Sequence, residues 1–148
     1  MPCLSITYNP KVGPLIQVMI WKVGATPASG SPTQPSSATT YQALIDSGAS
    51  CSCVSDKVIK AEGLVPSGKQ PVGGVHGNQA TNAYQFILGI PFVQSQHVGG
   101  AIAANVIGFP INGVEFVPMP GFDVLLGRDV ICRGSLTMTF DGHATLCL

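Results

Sequence analysis

The stretch Ala43-Leu44-Ile45-Asp46-Ser47-Gly48-Ala49 decides the fold. Its first three residues are apolar, which is typical of a buried strand. Asp46 follows at the end of that strand, and the small residues Ser47, Gly48 and Ala49 allow the chain to turn tightly behind it. The pattern predicts a carboxylate at the tip of a buried strand, on a turn that larger residues would not permit.

Two further segments accompany this stretch later in the chain. Val72-Gly73-Gly74-Val75-His76-Gly77 is rich in glycine and lies between two predicted strands, so it predicts the tip of a hairpin over residues 69–88. Val124-Leu125-Leu126-Gly127-Arg128-Asp129 is an apolar run that ends in a glycine and two charged residues. Because a glycine inside a strand marks a close approach of another backbone, Gly127 predicts a packed backbone contact.

The composition predicts a compact β-rich protein that forms a single domain over residues 1–148. Of the 148 residues, 45% are hydrophobic and 9% are charged, with 18 Gly and 12 Pro. Such a chain can bury a core and is too apolar to be disordered. Many short strands, a flexible loop over 24–40 and a C-terminal hairpin over 135–148 around Asp141-Gly142 predict a mostly β, closed barrel-like fold.

The local signals for helices are few. Ser55 and Gly63 predict the beginning and the end of a helix over 55–63, with Ser55 capping the first turn. A helical turn is predicted over 129–133, where Asp129 has a structural role. The sequence gives no assignment for residues 98–109.

Charge and cysteine content argue against several functions. Seven basic and seven acidic residues balance, and no Lys/Arg cluster predicts a nucleic-acid partner. No apolar run is long enough to cross a membrane, and no signal peptide is evident, so the prediction is a cytoplasmic protein with five reduced cysteines. Cys51-Ser52-Cys53 is spaced too tightly for a usual zinc pair and has no matching pair elsewhere, so no metal is predicted.

Taken in order, the three segments resemble those of the retropepsins, the retroviral-type aspartic proteases. That family carries its catalytic aspartate in Asp-Thr/Ser-Gly-Ala, covers it with a Gly-rich flap and supports it with a hydrophobic-hydrophobic-Gly segment. The length of the chain beyond the flap resembles cellular and bacterial members more than compact viral ones. The resemblance implies a retropepsin (acid protease) fold with one or two short helices and one lobe per chain.

The resemblance also implies a role for individual residues. It makes Asp46 the catalytic residue. It implies that the active-site loop is supported by Ser47, Gly48, Leu125, Leu126, Gly127 and Arg128. It implies that substrate is bound by Gly48, Ala49, Ser50, Gly73, Gly74 and Val75. Ser50 departs from the acidic residue that many viral members have there, so the usual partner of Arg128 is missing.

The number of aspartate motifs predicts the assembly. Hydrolysis by aspartates needs two carboxylates that share one proton, and the chain has only one Asp-Ser-Gly. The resemblance therefore implies a homodimer that cleaves an extended peptide or an unfolded protein and needs no cofactor. Two alternatives remain: a catalytically inactive dimerisation or peptide-binding module with the same fold, and a small metal or redox protein built on Cys51 and Cys53.

Overall fold

The structure is a computed structural model that describes residues 1–24, 39–74, 77–94 and 103–148. The described chain is dominated by strands. In chain order its elements are β1 (Cys3–Thr7), β2 (Leu15–Lys22), β3 (Thr40–Ile45), β4 (Cys53–Ser55), α1 (Asp56–Glu62), β5 (Pro66–Gly74), β6 (Gly77–Gln94), β7 (Ala103–Phe116), β8 (Val124–Leu126), α2 (Arg128–Ile131), β9 (Ser135–Met138) and β10 (His143–Cys147).

Six strands close into a barrel. The larger sheet has the order β2-β3-β8-β4-β7-β6-β5, and a further pairing between β2 and β6 joins its two sides. Closure removes the exposed edges of these six strands, and β5 remains outside as the partner of β6 in a long hairpin. The prediction of a mostly β, barrel-like fold with two short helices is confirmed.

Alternating apolar side chains fill the barrel. On β2, Ile16, Val18 and Ile20 point inward, and on β6 the same spacing places Phe86 and Leu88 in the core. Each such side chain contributes about 1.5–3 kcal/mol by leaving water. The spacing of two follows from the strand, in which successive side chains point to opposite faces.

Three adjacent strands of the barrel, β3, β8 and β4, determine the position of the Asp46 turn. β3 runs parallel to β8, with Ile45 paired to Leu126. β8 is antiparallel to β4, and β4 is parallel to β7. The chain leaves β3 at Asp46, turns back and enters β4 on the far side of β8. As a result β8 lies between the strand that delivers Asp46 and the strand that follows it.

The chain ends form a second, smaller sheet with the order β1-β10-β9. Cys3 and Cys147 face each other in its register and are joined by a disulfide. The expectation of five reduced cysteines is therefore wrong for this pair. The sequence could not reveal the bond, because only the pairing of two strands at opposite ends of the chain brings these residues together.

The helix predicted after Ser55 is confirmed as α1, and Gly63 ends it in the left-handed conformation with φ of 56°. The predicted side-chain cap is wrong, because the Ser55 hydroxyl makes no capping hydrogen bond. Residues 103–109, which the sequence left unassigned, belong to β7. The predicted 24–40 loop lies almost wholly outside the described residues, as do residues 95–102.

Candidate active site

Asp46 stands at the end of β3, partly buried, on a turn that its own atoms organise. The Gly48 N–H donates to Asp46 Oδ1 at 2.8 Å, and the Ala49 N–H donates to the Asp46 carbonyl at 3.2 Å. A Cβ atom on Gly48 would lie 3.1 Å from the same carboxylate oxygen. A glycine at this position therefore lets a backbone amide approach and orient the carboxylate.

Two backbone hydrogen bonds join the Asp46 turn to the end of β8 and the residues that follow it. The Asp46 N–H donates to the Leu126 carbonyl at 3.0 Å, and the Arg128 N–H donates to the Ala49 carbonyl at 3.0 Å. Leu126 is fully buried in the barrel core, which fixes the carbonyl that receives Asp46. The loop is thus fastened at both of its ends to one continuous piece of backbone.

A buried polar network that the sequence did not predict lies beside the turn. The Asp129 carboxylate accepts from the Ser52 hydroxyl at 2.8 Å and from the Ser52 N–H at 3.0 Å. The Ser52 hydroxyl in turn accepts from the Gly127 N–H at 3.0 Å. Asp129 is therefore structural, as predicted, but through Ser52. The sequence around Ser52 contains several other serines, so it held no signal that singled out this hydroxyl.

Gly127 makes the closest backbone contact of the site. A Cβ atom there would lie 2.4 Å from the Cys51 carbonyl carbon and 2.9 Å from the Ser52 nitrogen. No side chain fits at such distances, because the obstructing atoms are backbone. The contact holds the chain leaving the Asp46 turn against the chain leaving β8.

The alternation of side chains determines the face on which Asp46 lies. Ile45 and Leu126 point into the barrel core, whereas Leu125 belongs to a second apolar cluster outside it. Continued one residue beyond β3, the same alternation would place the Asp46 side chain on the side of Leu125. The bond from the Asp46 N–H to the Leu126 carbonyl keeps the residue next to β8.

We call this second apolar cluster the floor, and its member Leu125 lies in β8, the strand whose Leu126 carbonyl accepts from the Asp46 N–H. Its buried members are Cys53, Ala83 and Val114, and its partly buried members are Cys51, Val72, Phe116 and Leu125. Val72 comes from β5, so the β5–β6 hairpin reaches across to the floor. The partly buried members leave apolar surface that an extended ligand can cover.

Several of the site residues that the resemblance implies have exposed side chains with no bonding partner in the described chain. Ser47 and Ser50 are exposed on the turn. Arg128 is exposed too, and within the described ranges only its backbone N–H is bonded to the loop, not its guanidinium. Gly73 and Gly74 end β5, whereas Val75 and His76 lie outside the described residues.

The thiol of Cys53 has an altered pKa. Burial, followed by the charge and hydrogen bond of Cys51, raises the pKa of Cys53 to about 12. The thiol stays protonated at neutral pH and donates to the Cys51 carbonyl at 3.5 Å. No cluster of three His, Cys, Asp or Glu suited to a metal ion occurs in the part of the chain that the structure describes.

Comparison with known proteins gives the fold of this site. No family model matches the chain, and no curated protein matches it. A solved structure of a retropepsin-like aspartic protease from Rickettsia conorii matches with a TM-score of 0.51 and 13% identity, covering 97% of this chain and 88% of that one. The fold is retropepsin-like.

A second solved structure, a foamy viral protease-reverse transcriptase in complex with an RNA/DNA hybrid, matches with a TM-score of 0.42 and 14% identity. It covers 88% of this chain and 13% of that chain. Within the described ranges of this retropepsin-like chain, no helix is long and apolar enough to span a bilayer.

Proposed function

We propose that this protein is an aspartic endopeptidase in which Asp46 and the Asp46 of a second copy activate a water molecule. The observation that carries the proposal is the partly buried Asp46 carboxylate, oriented by the Gly48 N–H at the end of β3 and next to β8, whose Leu125 belongs to the apolar floor. A carboxylate placed only for stability would be paired with a cation or held by several hydrogen bonds, as Asp129 is by Ser52.

The chemistry follows from two carboxylates that share a proton. The ionised Asp46 takes a proton from water, and the resulting hydroxyl attacks the scissile carbonyl carbon. The protonated Asp46 of the other copy hydrogen-bonds the carbonyl oxygen and gives up its proton as the tetrahedral intermediate forms. At a separation of about 3 Å the two groups cannot both ionise, so they titrate as a pair.

We infer that the second carboxylate comes from another copy, which is supported by the bonding of each of the other six acidic residues to groups other than Asp46. All seven acidic residues of the chain are described. The remaining six are bonded as follows: Asp56 to Lys60, Glu62 to Tyr41, Glu115 to Asn82 and Tyr84, Asp123 to Lys57, Asp129 to Ser52, and Asp141 to Thr139 and His143. The site is therefore incomplete in one chain, and a twofold homodimer completes it.

The substrate class follows from the floor and the hairpin. An extended peptide presents side chains on alternating sides, and one side would rest on the apolar surface of Val72 and Leu125. Gly48, Ala49 and Ser50 at the turn, with Gly73, Gly74 and Val75 at the hairpin, would bind its backbone. We therefore propose an extended segment of an unfolded protein or peptide as substrate, bound by the hairpin acting as a flap.

The homodimer makes activity depend on concentration. Well below the dimer dissociation constant, the active fraction scales with concentration, so the specific activity falls about tenfold for each tenfold dilution. The measurement is the initial rate of cleavage of a fluorogenic unfolded substrate, set beside sedimentation of the same dilutions. A specific activity that stays constant where sedimentation finds only monomer would contradict the shared site.

The location is a separate question. The sequence predicts a cytoplasmic protein, whereas the Cys3–Cys147 disulfide is of a kind that persists in oxidising compartments. The proposed hydrolysis itself includes no redox step, so it does not decide between these two locations.

A further inference from the structure

We propose that Cys51 and Cys53 form a reactive dithiol in the floor beside Asp46, which a peroxide converts to a disulfide that shuts off the site. The dithiol is a modification site in its own right, and the loss of cleavage that follows from it rests on the proposed function. No other pair of free thiols occurs in the described chain, where Cys132 is the remaining free cysteine and is exposed.

The geometry brings the two thiols together. Cys51 and Cys53 are two residues apart and pack in the same apolar cluster, so they point to one side of the chain. The Cys53 sulfur already lies 3.5 Å from the Cys51 carbonyl oxygen. Residues so spaced in a fully extended strand have Cα atoms about 6.6–6.8 Å apart. That distance is at the upper end of the range that a disulfide spans, and Cys51 lies in a bend before β4.

The two thiols have different roles in the oxidation. Cys51 is partly exposed and is the thiolate that attacks the peroxide O–O bond, giving a sulfenic acid and releasing hydroxide. Cys53 then attacks the sulfenic sulfur, the S–OH bond breaks, and the S–S bond forms. Two thiols and one hydrogen peroxide thus give one disulfide and two waters. The second step is the slower one, because buried Cys53 has to lose its proton.

The disulfide would act on Asp46 through Ser52. Ser52 lies between the two cysteines, and its hydroxyl accepts from the Gly127 N–H at 3.0 Å. Closing the bond shortens the span across Ser52 and pulls it away from Asp129 and Gly127. Gly127 directly follows Leu126, whose carbonyl accepts from the Asp46 N–H, so a shift of Gly127 also moves the Asp46 carboxylate. In addition, the disulfide alters the floor on which the substrate rests.

The test uses the full chain treated with hydrogen peroxide and then digested with trypsin. Cleavage after Lys22 and Lys57 places Cys51 and Cys53 on one peptide with no other cysteine, whereas Cys132 lies on the peptide 129–133. We expect the 23–57 peptide to lose two hydrogen masses and to regain them with dithiothreitol. We expect proteolytic activity to fall at least about tenfold and to return on reduction.

The matched variants are Cys51→Ser and Cys53→Ser, with Cys132→Ser as control. Cys51→Ser lacks the thiol that reacts with peroxide and should keep its own untreated activity. Cys53→Ser should form a sulfenic acid at Cys51 but no disulfide, so its 23–57 peptide should not lose two hydrogen masses, whereas Cys132→Ser should respond as the wild type does. If a variant does not fold, the mass of the wild-type 23–57 peptide still shows whether the Cys51–Cys53 disulfide forms. Oxidation of Cys132 without a Cys51–Cys53 disulfide would overturn the dithiol, and a disulfide with unchanged activity would overturn the shut-off. Absence of cleavage before oxidation would count against the proposed function, and the peptide masses would still decide the dithiol.

Discussion

Asp46→Asn is expected to lower the rate of peptide cleavage by about 10³–10⁴-fold while the chain still folds and dimerises. An amide in this position accepts the Gly48 N–H as before, so the turn keeps its shape. It cannot take a proton from water, and because both copies of the variant carry the amide, no carboxylate pair remains to share a proton. The measurement is the cleavage of an unfolded protein followed on a gel, with urea unfolding and sedimentation of the same preparations.

Asp141→Asn is the matched control for that experiment. Asp141 is exposed in the turn between β9 and β10, where it bonds Thr139 and His143. The variant removes a carboxylate of the same kind without touching the Asp46 turn, so activity should be unchanged. Full activity in Asp46→Asn would refute the catalytic assignment. An equal lack of cleavage in the wild type and in Asp46→Asn, with peptide binding retained, would favour the inactive binding module.

Gly127→Ala should destabilise the fold by about 1–3 kcal/mol and weaken catalysis as well. The new methyl group would meet backbone atoms of Cys51 and Ser52, which have no rotamers by which to move aside. To relieve this clash, the backbone at Gly127 must move away from the backbone of Cys51 and Ser52. That movement lengthens the hydrogen bond from the Gly127 N–H to the Ser52 hydroxyl. The free energy of unfolding in urea and kcat for cleavage measure the two effects.

Gly68→Ala is the control for this prediction. A Cβ atom at Gly68 would meet nothing within 4 Å, so the substitution introduces a methyl group without a clash. We expect its free energy of unfolding to remain within about 0.5 kcal/mol of the wild type. If Gly127→Ala matched Gly68→Ala in both stability and kcat, the close backbone contact would have no role in holding the site.

The features that the sequence predicted well are local ones. The apolar residues before Asp46 predict the strand, and the small residues after it predict the turn. The run ending in Gly127 predicts a strand followed by close packing, and Gly63 predicts the end of α1. In each case neighbouring residues along the chain determine the conformation, so their order is sufficient evidence.

The features that the sequence missed depend on contacts between distant residues. Ser52 and Asp129 are 77 residues apart, and Cys3 and Cys147 are 144 residues apart. These pairs meet only because β8 lies between β3 and β4, and because β1 pairs with β10. Arg128 was expected to support the loop, but the sequence did not show that its backbone N–H, bonded to the distant Ala49 carbonyl, makes the contact.

Mixing the wild type with Asp46→Asn tests the shared site most directly. Equal amounts are combined at a fixed total concentration above the dissociation constant, and the subunits are allowed to exchange. If both carboxylates are needed, only dimers with two wild-type chains cleave, so activity falls to about a quarter of that of the pure wild type. Activity of about one half would mean that each chain works alone and would contradict the account.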